Sequence, residues 1–96
     1  PDKLIPKEGV YAVYAYIDEV RYAGMLNIGH RPTVDNGSNL SIEVHILNFS
    51  GDIYNHHMRI EFIEFIRQEQ KFDSLEKLIA QLNTDRETVS RLLLHS

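Results

Sequence analysis

Cysteine is absent from this 96-residue chain. Disulfide bonds and thiolate metal sites are therefore excluded, and the chain fits a reducing compartment, so a cytoplasmic location is expected. Basic residues are scarce as well, with 10 Lys and Arg against 14 Asp and Glu and a formal net charge of −4. This balance argues against nucleic acid or an anionic membrane surface as a partner. No apolar run approaches the roughly 20 residues of a membrane span.

Several motifs of known chemistry are missing too. The sequence contains no Walker loop, no G-x-G-x-x-G, no G-x-S-x-G and no H-E-x-x-H. The histidines follow no metal-ligand spacing, and the adjacent His56 and His57 would point to opposite faces of an extended segment. We therefore interpret the histidines as surface residues and predict no metal site from them.

The pattern of apolar residues predicts one mainly β domain over residues 1–96. Period-two runs, rich in β-branched and aromatic residues and bounded by turn residues, predict strands over 9–17, 21–29, 41–49 and 58–67. Gly24 interrupts the second run, which indicates a bulge or the close approach of another backbone or a ligand. In the fourth run the apolar phase slips at Ile63, which is typical of a β-bulge. The β-rich part thus covers about 9–67.

The period changes to 3.6 after Gln70 and predicts a helical tail over about 73–94. Asp73 and Glu76 form a D-x-x-E start signal, and Thr84 with Glu87 resembles a second capping box. The sequence therefore predicts either two short helices or one helix kinked near Asn83.

The ionisable and aromatic side chains of the strands have ordinary interpretations when each is considered alone. Glu43 lies in the alternating run SIEVHIL and reads as a solvated strand residue, as do Glu61 and Glu64. The early tyrosines are expected to pack in the core and across strands. Without a family resemblance, the residues therefore predict a β-rich domain with a helical tail and no specific function.

Several segments together resemble the riboflavin kinase family, which includes the C-terminal module of the bacterial bifunctional riboflavin kinase/FAD synthetase. The matching stretches are GVYAV, RYAGMLNIG with HRPT, SIEVHILNFSGDIYN, and FIRQEQKFDSLEKLIAQLNTD. They occur in the family's order and cover residues 4 to about 90. Together these motifs are highly specific.

The resemblance implies a six-stranded antiparallel Greek-key β-barrel with a C-terminal helix. It also implies ATP- and Mg²⁺-dependent phosphorylation of the riboflavin 5′-hydroxyl to FMN, in a parent protein that could also act as an FMN adenylyltransferase and form FAD. The family's catalytic glutamate falls on Glu43, which would orient and deprotonate the attacking hydroxyl. The flavin contacts carry over to Ile46, Asn48, Tyr54, Arg67 and Phe72.

Two departures from the family pattern matter. The glycine-rich loop and the P-T-A-N motif that hold Mg²⁺ and the phosphates would precede Pro1, and the local PTVDN occupies a different loop, so Thr33 and Asn36 are not assigned to metal. Asn55 stands where the family often has glycine, a substitution that a left-handed turn tolerates. We expect this chain to be an N-terminally truncated kinase module with little or no kinase activity alone. Two alternatives are a non-catalytic flavin-binding module and an interaction module that self-associates through an open β-edge.

Overall fold

The computed structural model describes residues 6–32, 37–49 and 57–94. These ranges contain β1 (Gly9–Ile17), β2 (Val20–Pro32), β3 (Ser38–Ile46), β4 (Met58–Arg67) and α1 (Leu75–Leu93). All strand pairs are antiparallel and the sheet order is β3-β2-β1-β4. A fourth strand that returns beside the first defines the Greek key, so the predicted mainly β class with a C-terminal helix is confirmed. Within the described ranges β3 and β4 are the sheet edges, and closure into a six-stranded barrel stays a prediction.

A tight hairpin joins β1 to β2. Asp18 and Glu19 have φ values of 52° and 70°, the left-handed pair that a two-residue hairpin turn with matching twist requires. The predicted bounds of β1 are confirmed, whereas β2 is longer than the predicted 21–29. Its extra residues pair with β3 as far as Pro32 opposite Ser38. The close approach predicted at Gly24 is confirmed, because a Cβ there would lie 2.9 Å from the His45 carbonyl oxygen.

The third strand ends earlier than its alternation predicts. We expected extended backbone to Phe49, but β3 ends at Ile46. Asn48 has a φ of 56°, a left-handed conformation that a β-ladder cannot accommodate and that asparagine adopts more readily than most residues. The Leu47 amide still donates to the Ala23 carbonyl oxygen at 2.9 Å. The backbone turns at Leu47 and Asn48, and the Phe49 ring meets the Tyr22 ring of β2 edge-on at 5.0 Å between centroids.

The fourth strand contains the predicted irregularity. In its pairing with β1 the register shifts between Ala12 and Val13, which skips Ile63, and again between Val10 and Tyr11. An extra residue on one strand is the definition of a β-bulge. The bulge that the phase slip at Ile63 predicts is therefore confirmed, and a second one follows it.

The sheet buries apolar residues on both faces. The face under α1 carries Val10, Ala12, Ala23, Met25 and Leu47, which pack with Val89 of the helix. The opposite face carries Tyr11, Val13, Leu26 and Ile28. The Tyr11 ring meets the Phe62 and Phe65 rings edge-on, each at 5.2 Å between centroids. The prediction that Tyr11 packs in the core is thus confirmed.

The C-terminal part is one helix, not two. α1 runs from Leu75 to Leu93, and its N-cap is Ser74, whose Oγ accepts from the Lys77 amide at 3.2 Å. The start signal read from Asp73 was therefore wrong by one residue. The second capping box was wrong as well: the Thr84 hydroxyl donates to the Ala80 carbonyl oxygen one turn earlier and does not cap a new helix. No helix in the described ranges is long and apolar enough to cross a membrane.

Candidate active site

A row of four residues crosses the sheet on the face below α1. Asn27 of β2 pairs with Glu43 of β3 on one side and with Val10 of β1 on the other, and Val10 pairs in turn with Arg67 of β4. Neighbouring strands are ~4.8 Å apart, so this row extends about 14 Å along the sheet. A carboxylate therefore lies at one end of the row and a guanidinium at the other.

This row forms the floor of a cleft between the sheet and α1. The cleft has a volume of about 360 Å³, within the range of small-molecule sites. Its lining is Val10, Met25, Asn27, Glu43, Val44, His45, Arg67, Glu69, Gln70, Phe72, Leu78, Leu82 and Asp85. Apolar and polar groups are about equally represented, so the cleft suits a ligand with one apolar part and one hydroxylated or charged part.

Arg67 is held firmly at its end of the cleft by Asp85 of α1. Its Nε donates to both Asp85 oxygens at 3.0 and 3.1 Å, and its Nη2 donates to Oδ2 at 2.8 Å. Gln81 donates to Oδ1 at 3.0 Å from the preceding turn of the helix. The side chains of Arg67 and Asp85 are 18% and 2% exposed. A desolvated, bidentate pair of this kind fixes the orientation of the guanidinium plane.

Phe72 supplies an aromatic wall beside this ion pair. It lies in the segment between β4 and α1, and its ring centre is 6.0 Å from the Arg67 guanidinium carbon. Leu78 and Leu82 of α1 line the same cleft. A flat apolar ring system could therefore pack between the helix side chains and Phe72.

Glu43 lies in the middle of β3, which is an edge strand among the described residues. Its side chain is exposed and belongs to the cleft lining. The regular pairing of β3 with β2 holds the Glu43 backbone in place. The carboxylate is therefore attached to a rigid strand and can exchange protons with solvent. His45 follows two residues later, and its Nε2 lies 3.4 Å from Nη2 of Arg86 on α1.

The predicted flavin residues do not all line this cleft. Glu43, Arg67 and Phe72 share it, whereas Ile46 and Asn48 line a neighbouring cavity of about 410 Å³. His45 contributes to both. Tyr54, Thr33, Asn36 and Asn55 lie outside the described residues.

The donors in the described ranges do not form a magnesium site. Among these residues, no group of three or more His, Cys, Asp or Glu side chains is arranged to hold a metal ion. Asp85, an oxygen donor of the cleft, is already engaged by Arg67 and Gln81. We therefore derive no chemical step through a metal from these residues.

The sequence patterns predicted no function for Asn27 and Asp85, two polar residues of the cleft. Asn27 lies in a predicted strand, where periodicity gives an isolated asparagine no function, and its one available signal was its place in RYAGMLNIG, a stretch that matches the family pattern. Asp85 meets a partner 18 positions earlier in the chain, a distance that periodicity does not reveal. Its one available signal was its place at the end of QLNTD, within a stretch that matches the family pattern.

Comparisons with known proteins point to one family. The profile of the riboflavin kinase family, Flavokinase, matches residues 1–93. The bifunctional riboflavin kinase/FMN adenylyltransferase of Listeria monocytogenes is 45% identical over 84 residues, which are 88% of this chain and 27% of that protein. The enzyme of the same name from Pseudomonas fluorescens is 42% identical over 83 residues, which are 86% of this chain and 27% of that protein. The chain thus spans about a quarter of the length of these relatives.

Other similarities carry different descriptions. The RNA-binding riboflavin kinase RibR of Bacillus subtilis is 34% identical over 85 residues, which are 88% of this chain and 37% of that protein. A crystal structure from Streptococcus pneumoniae, described as a macrolide-efflux protein, superposes with a TM-score of 0.81 at 35% identity and covers 88% of this chain and 28% of that one. The profile match over residues 1–93, with relatives at 42% and 45% identity, shows that this chain belongs to the riboflavin kinase family.

Proposed function

We propose that this chain forms the kinase module of a riboflavin kinase, which transfers the γ-phosphoryl group of ATP to the ribityl 5′-hydroxyl of riboflavin. The observation that carries the proposal is the row from Glu43 to Arg67 on the floor of one cleft with Phe72. This arrangement combines a carboxylate, an apolar wall and a cation. Riboflavin has the matching parts, namely a hydroxyl to be activated and a flat ring system whose carbonyl oxygens can accept hydrogen bonds from the cation.

In the proposed reaction Glu43 acts as the base. Its carboxylate orients the 5′-hydroxyl and accepts the proton as the oxygen attacks the γ-phosphorus of ATP. A new phosphorus–oxygen bond forms, the bond to the β,γ-bridging oxygen breaks, and ADP leaves with FMN as the other product. Mg²⁺, when bound, would neutralise charge on the phosphates. We propose that its ligands lie outside the described residues.

Arg67 and Phe72 are proposed to bind rather than to transfer protons. Asp85 takes Nε and one donor of Nη2, and the Gln68 carbonyl oxygen accepts from Nη1 at 3.1 Å. Because each terminal guanidinium nitrogen carries a pair of N–H groups, donors on both remain for acceptor atoms of the flavin ring. Phe72 would pack against the isoalloxazine ring at the same end.

The proposed partners of this chain are small molecules. The excess of acidic residues, with a net charge of −4, does not favour RNA, although one relative is named an RNA-binding kinase. A cytoplasmic site of action fits an ATP-dependent reaction and a cysteine-free sequence. The names of the bifunctional relatives suggest that a protein carrying this chain also converts FMN to FAD, which is a proposal for the whole protein.

To test the proposal, the native protein is incubated with riboflavin and Mg·ATP. The conversion of riboflavin to FMN is then measured after chromatographic separation of the two flavins. We expect FMN and ADP to form in equal amounts. Riboflavin binding without turnover would favour a flavin-binding module instead. Concentration-dependent dimerisation without flavin affinity would favour association through the β3 or β4 edge. Residues 1–96 alone are proposed to have little kinase activity, and normal turnover by this piece would contradict that.

A further inference from the structure

Asn27 contributes a buried hydrogen-bond acceptor to the floor of the cleft. Its Oδ1 is shielded from solvent and has no hydrogen-bond partner among the residues that the structure describes. Most buried side-chain polar atoms in folded proteins are paired, and an unpaired one costs stability. The position of Asn27 in the cleft therefore needs an explanation other than folding.

The neighbours of Asn27 show which part of a ligand it would meet. It is flanked directly by Glu43 on β3 and by Val10 on β1, and all three line the cleft. Cβ atoms of directly opposite residues lie about 5 Å apart, so one flexible polyol chain can contact both Asn27 and Glu43. Because β2 is paired on both sides, the carboxamide is attached to the most rigid part of the floor.

A packing role explains this residue less well. The positions that share its side of the sheet core are apolar, for example Met25 and Val10. A leucine at position 27 would be of similar size and would remove the unpaired acceptor. A carboxamide offers both an acceptor and N–H donors, and a hydroxyl is likewise both donor and acceptor. The chemistry of this position therefore complements an alcohol.

We propose that Asn27 is a substrate-binding residue that holds a hydroxyl of the ribityl chain beside the hydroxyl that Glu43 deprotonates. This inference rests on the proposed function. Asn27 fixes the sugar-like chain along the row between the base and Arg67, so that the reacting hydroxyl stays at the Glu43 end. Oδ1 is shielded in the ligand-free cleft, so the carboxamide rotates about its terminal side-chain bond when it meets the hydroxyl, and the hydrogen bond then satisfies Oδ1.

The test compares two flavins that differ in the ribityl chain. Riboflavin carries the chain, whereas lumiflavin has the same ring system with a methyl group in its place. Flavin fluorescence measures the dissociation constants of both flavins for the native protein and for its Asn27→Leu variant. We expect Asn27→Leu to bind riboflavin about tenfold more weakly and to bind lumiflavin as the wild type does. Its thermal midpoint should be unchanged or higher, because a buried unpaired acceptor has been removed.

Two further variants keep the result interpretable. Asn27→Ser has a hydroxyl too short to reach the ligand and should show the same selective loss. Asn83→Leu makes the same change on the exposed side of α1 and should bind both flavins normally. Unchanged riboflavin affinity in Asn27→Leu and Asn27→Ser would overturn the role of Asn27 and leave the proposed function intact. If the variants lose affinity equally for both flavins and also have a lower thermal midpoint, Asn27 has a packing role and the proposed contact with the ribityl chain is wrong. A wild-type chain that binds neither flavin would contradict the proposed function itself.

Discussion

Asp85 is the most buried charged residue among those described, at 1% exposure. Its carboxylate meets the Arg67 guanidinium through two nitrogens and is also bound by Gln81. Removing one partner of a buried ion pair leaves the other charge desolvated and uncompensated. The pair joins α1 to β4 at the wall of the cleft, so losing it should both destabilise the fold and alter the cleft.

The Asp85→Ala variant should lose about 3 kcal/mol of unfolding free energy. The matched control is Asp73→Ala, since Asp73 forms an exposed pair with Lys77 in which both side chains are more than two-thirds exposed, at 77% and 68%. Such a pair contributes at most about 0.5 kcal/mol. Urea unfolding of both variants measures the difference. Equal losses of unfolding free energy in the two variants would show that the buried pair contributes no more to stability than the exposed one.

Gly24 and Gly29 of β2 form a second contrast between single residues. A Cβ at Gly24 would lie 2.9 Å from the His45 carbonyl oxygen, a backbone atom, whereas one at Gly29 would lie 2.6 Å from the movable Glu69 carboxylate. We predict that Gly24→Ala lowers the unfolding free energy by about 1–3 kcal/mol, because the strand must shift. Gly29→Ala should cost much less, since the Glu69 side chain can rotate away. Thermal unfolding of both variants tests this, and a larger loss for Gly29→Ala would be the contrary result.

The limits of sequence analysis are clearest for single residues. Glu43 became the candidate base only because the motifs around it match a family, since its own strand pattern favoured a solvated residue. Asp85 could not be predicted, because its partner Arg67 lies on another element, and the role proposed for Asn27 depends on a ligand that the strand pattern does not reveal. A strand pattern specifies which face a side chain occupies, but not what lies across the cleft from it.

The strands and the helix differed in how well the sequence predicted them. β1 was predicted with its observed bounds, because alternation and turn residues coincide at both ends, and β4 was predicted with its observed bounds although its alternation slips at Ile63. β3 ended early because the φ of Asn48 is not encoded in alternation. The helix was ambiguous because two plausible capping boxes lie 11 residues apart in one amphipathic run. The structure has one continuous helix, in which the Thr84 hydroxyl donates to the Ala80 carbonyl oxygen of the preceding turn.

A pair of substitutions tests the single helix. Ser74→Ala removes the observed N-cap and should cost about 1 kcal/mol of unfolding free energy. Thr84→Ala lies in the interior of α1 and should be neutral or stabilising by a few tenths of a kcal/mol, because alanine has the higher helix propensity. Urea unfolding provides both values. A cost of about 1 kcal/mol for Thr84→Ala would instead indicate that a second helix begins there.

For the whole molecule, the cleft joins both edge strands to the helix through one row of side chains. A ligand in it should therefore stabilise the whole fold. At a riboflavin concentration of about 100 times Kd, the gain is about 2.7 kcal/mol, which raises Tm by roughly 10–20 °C in a domain of this size. Differential scanning fluorimetry on the full chain measures the shift.

Two variants show which cavity holds the flavin. Phe72→Leu alters the cleft that contains Glu43, whereas Asn48→Gly empties one corner of the neighbouring cavity and keeps the left-handed turn. We expect the riboflavin-induced shift in Tm to fall in Phe72→Leu and to persist in Asn48→Gly. The opposite pattern would place the flavin ring beside Ile46 and Asn48.

The central claim is that Glu43 is the base for phosphorylation of a riboflavin bound in the cleft. The most direct measurement is the FMN-forming rate of the native protein carrying Glu43→Gln, alongside its Kd for riboflavin. Glu64→Gln makes the same change on β4 at an exposed position that does not line the cleft. We predict that Glu43→Gln lowers kcat by about 100-fold or more with riboflavin affinity kept within about twofold, while Glu64→Gln behaves as the wild type. An unchanged kcat in Glu43→Gln would contradict the account.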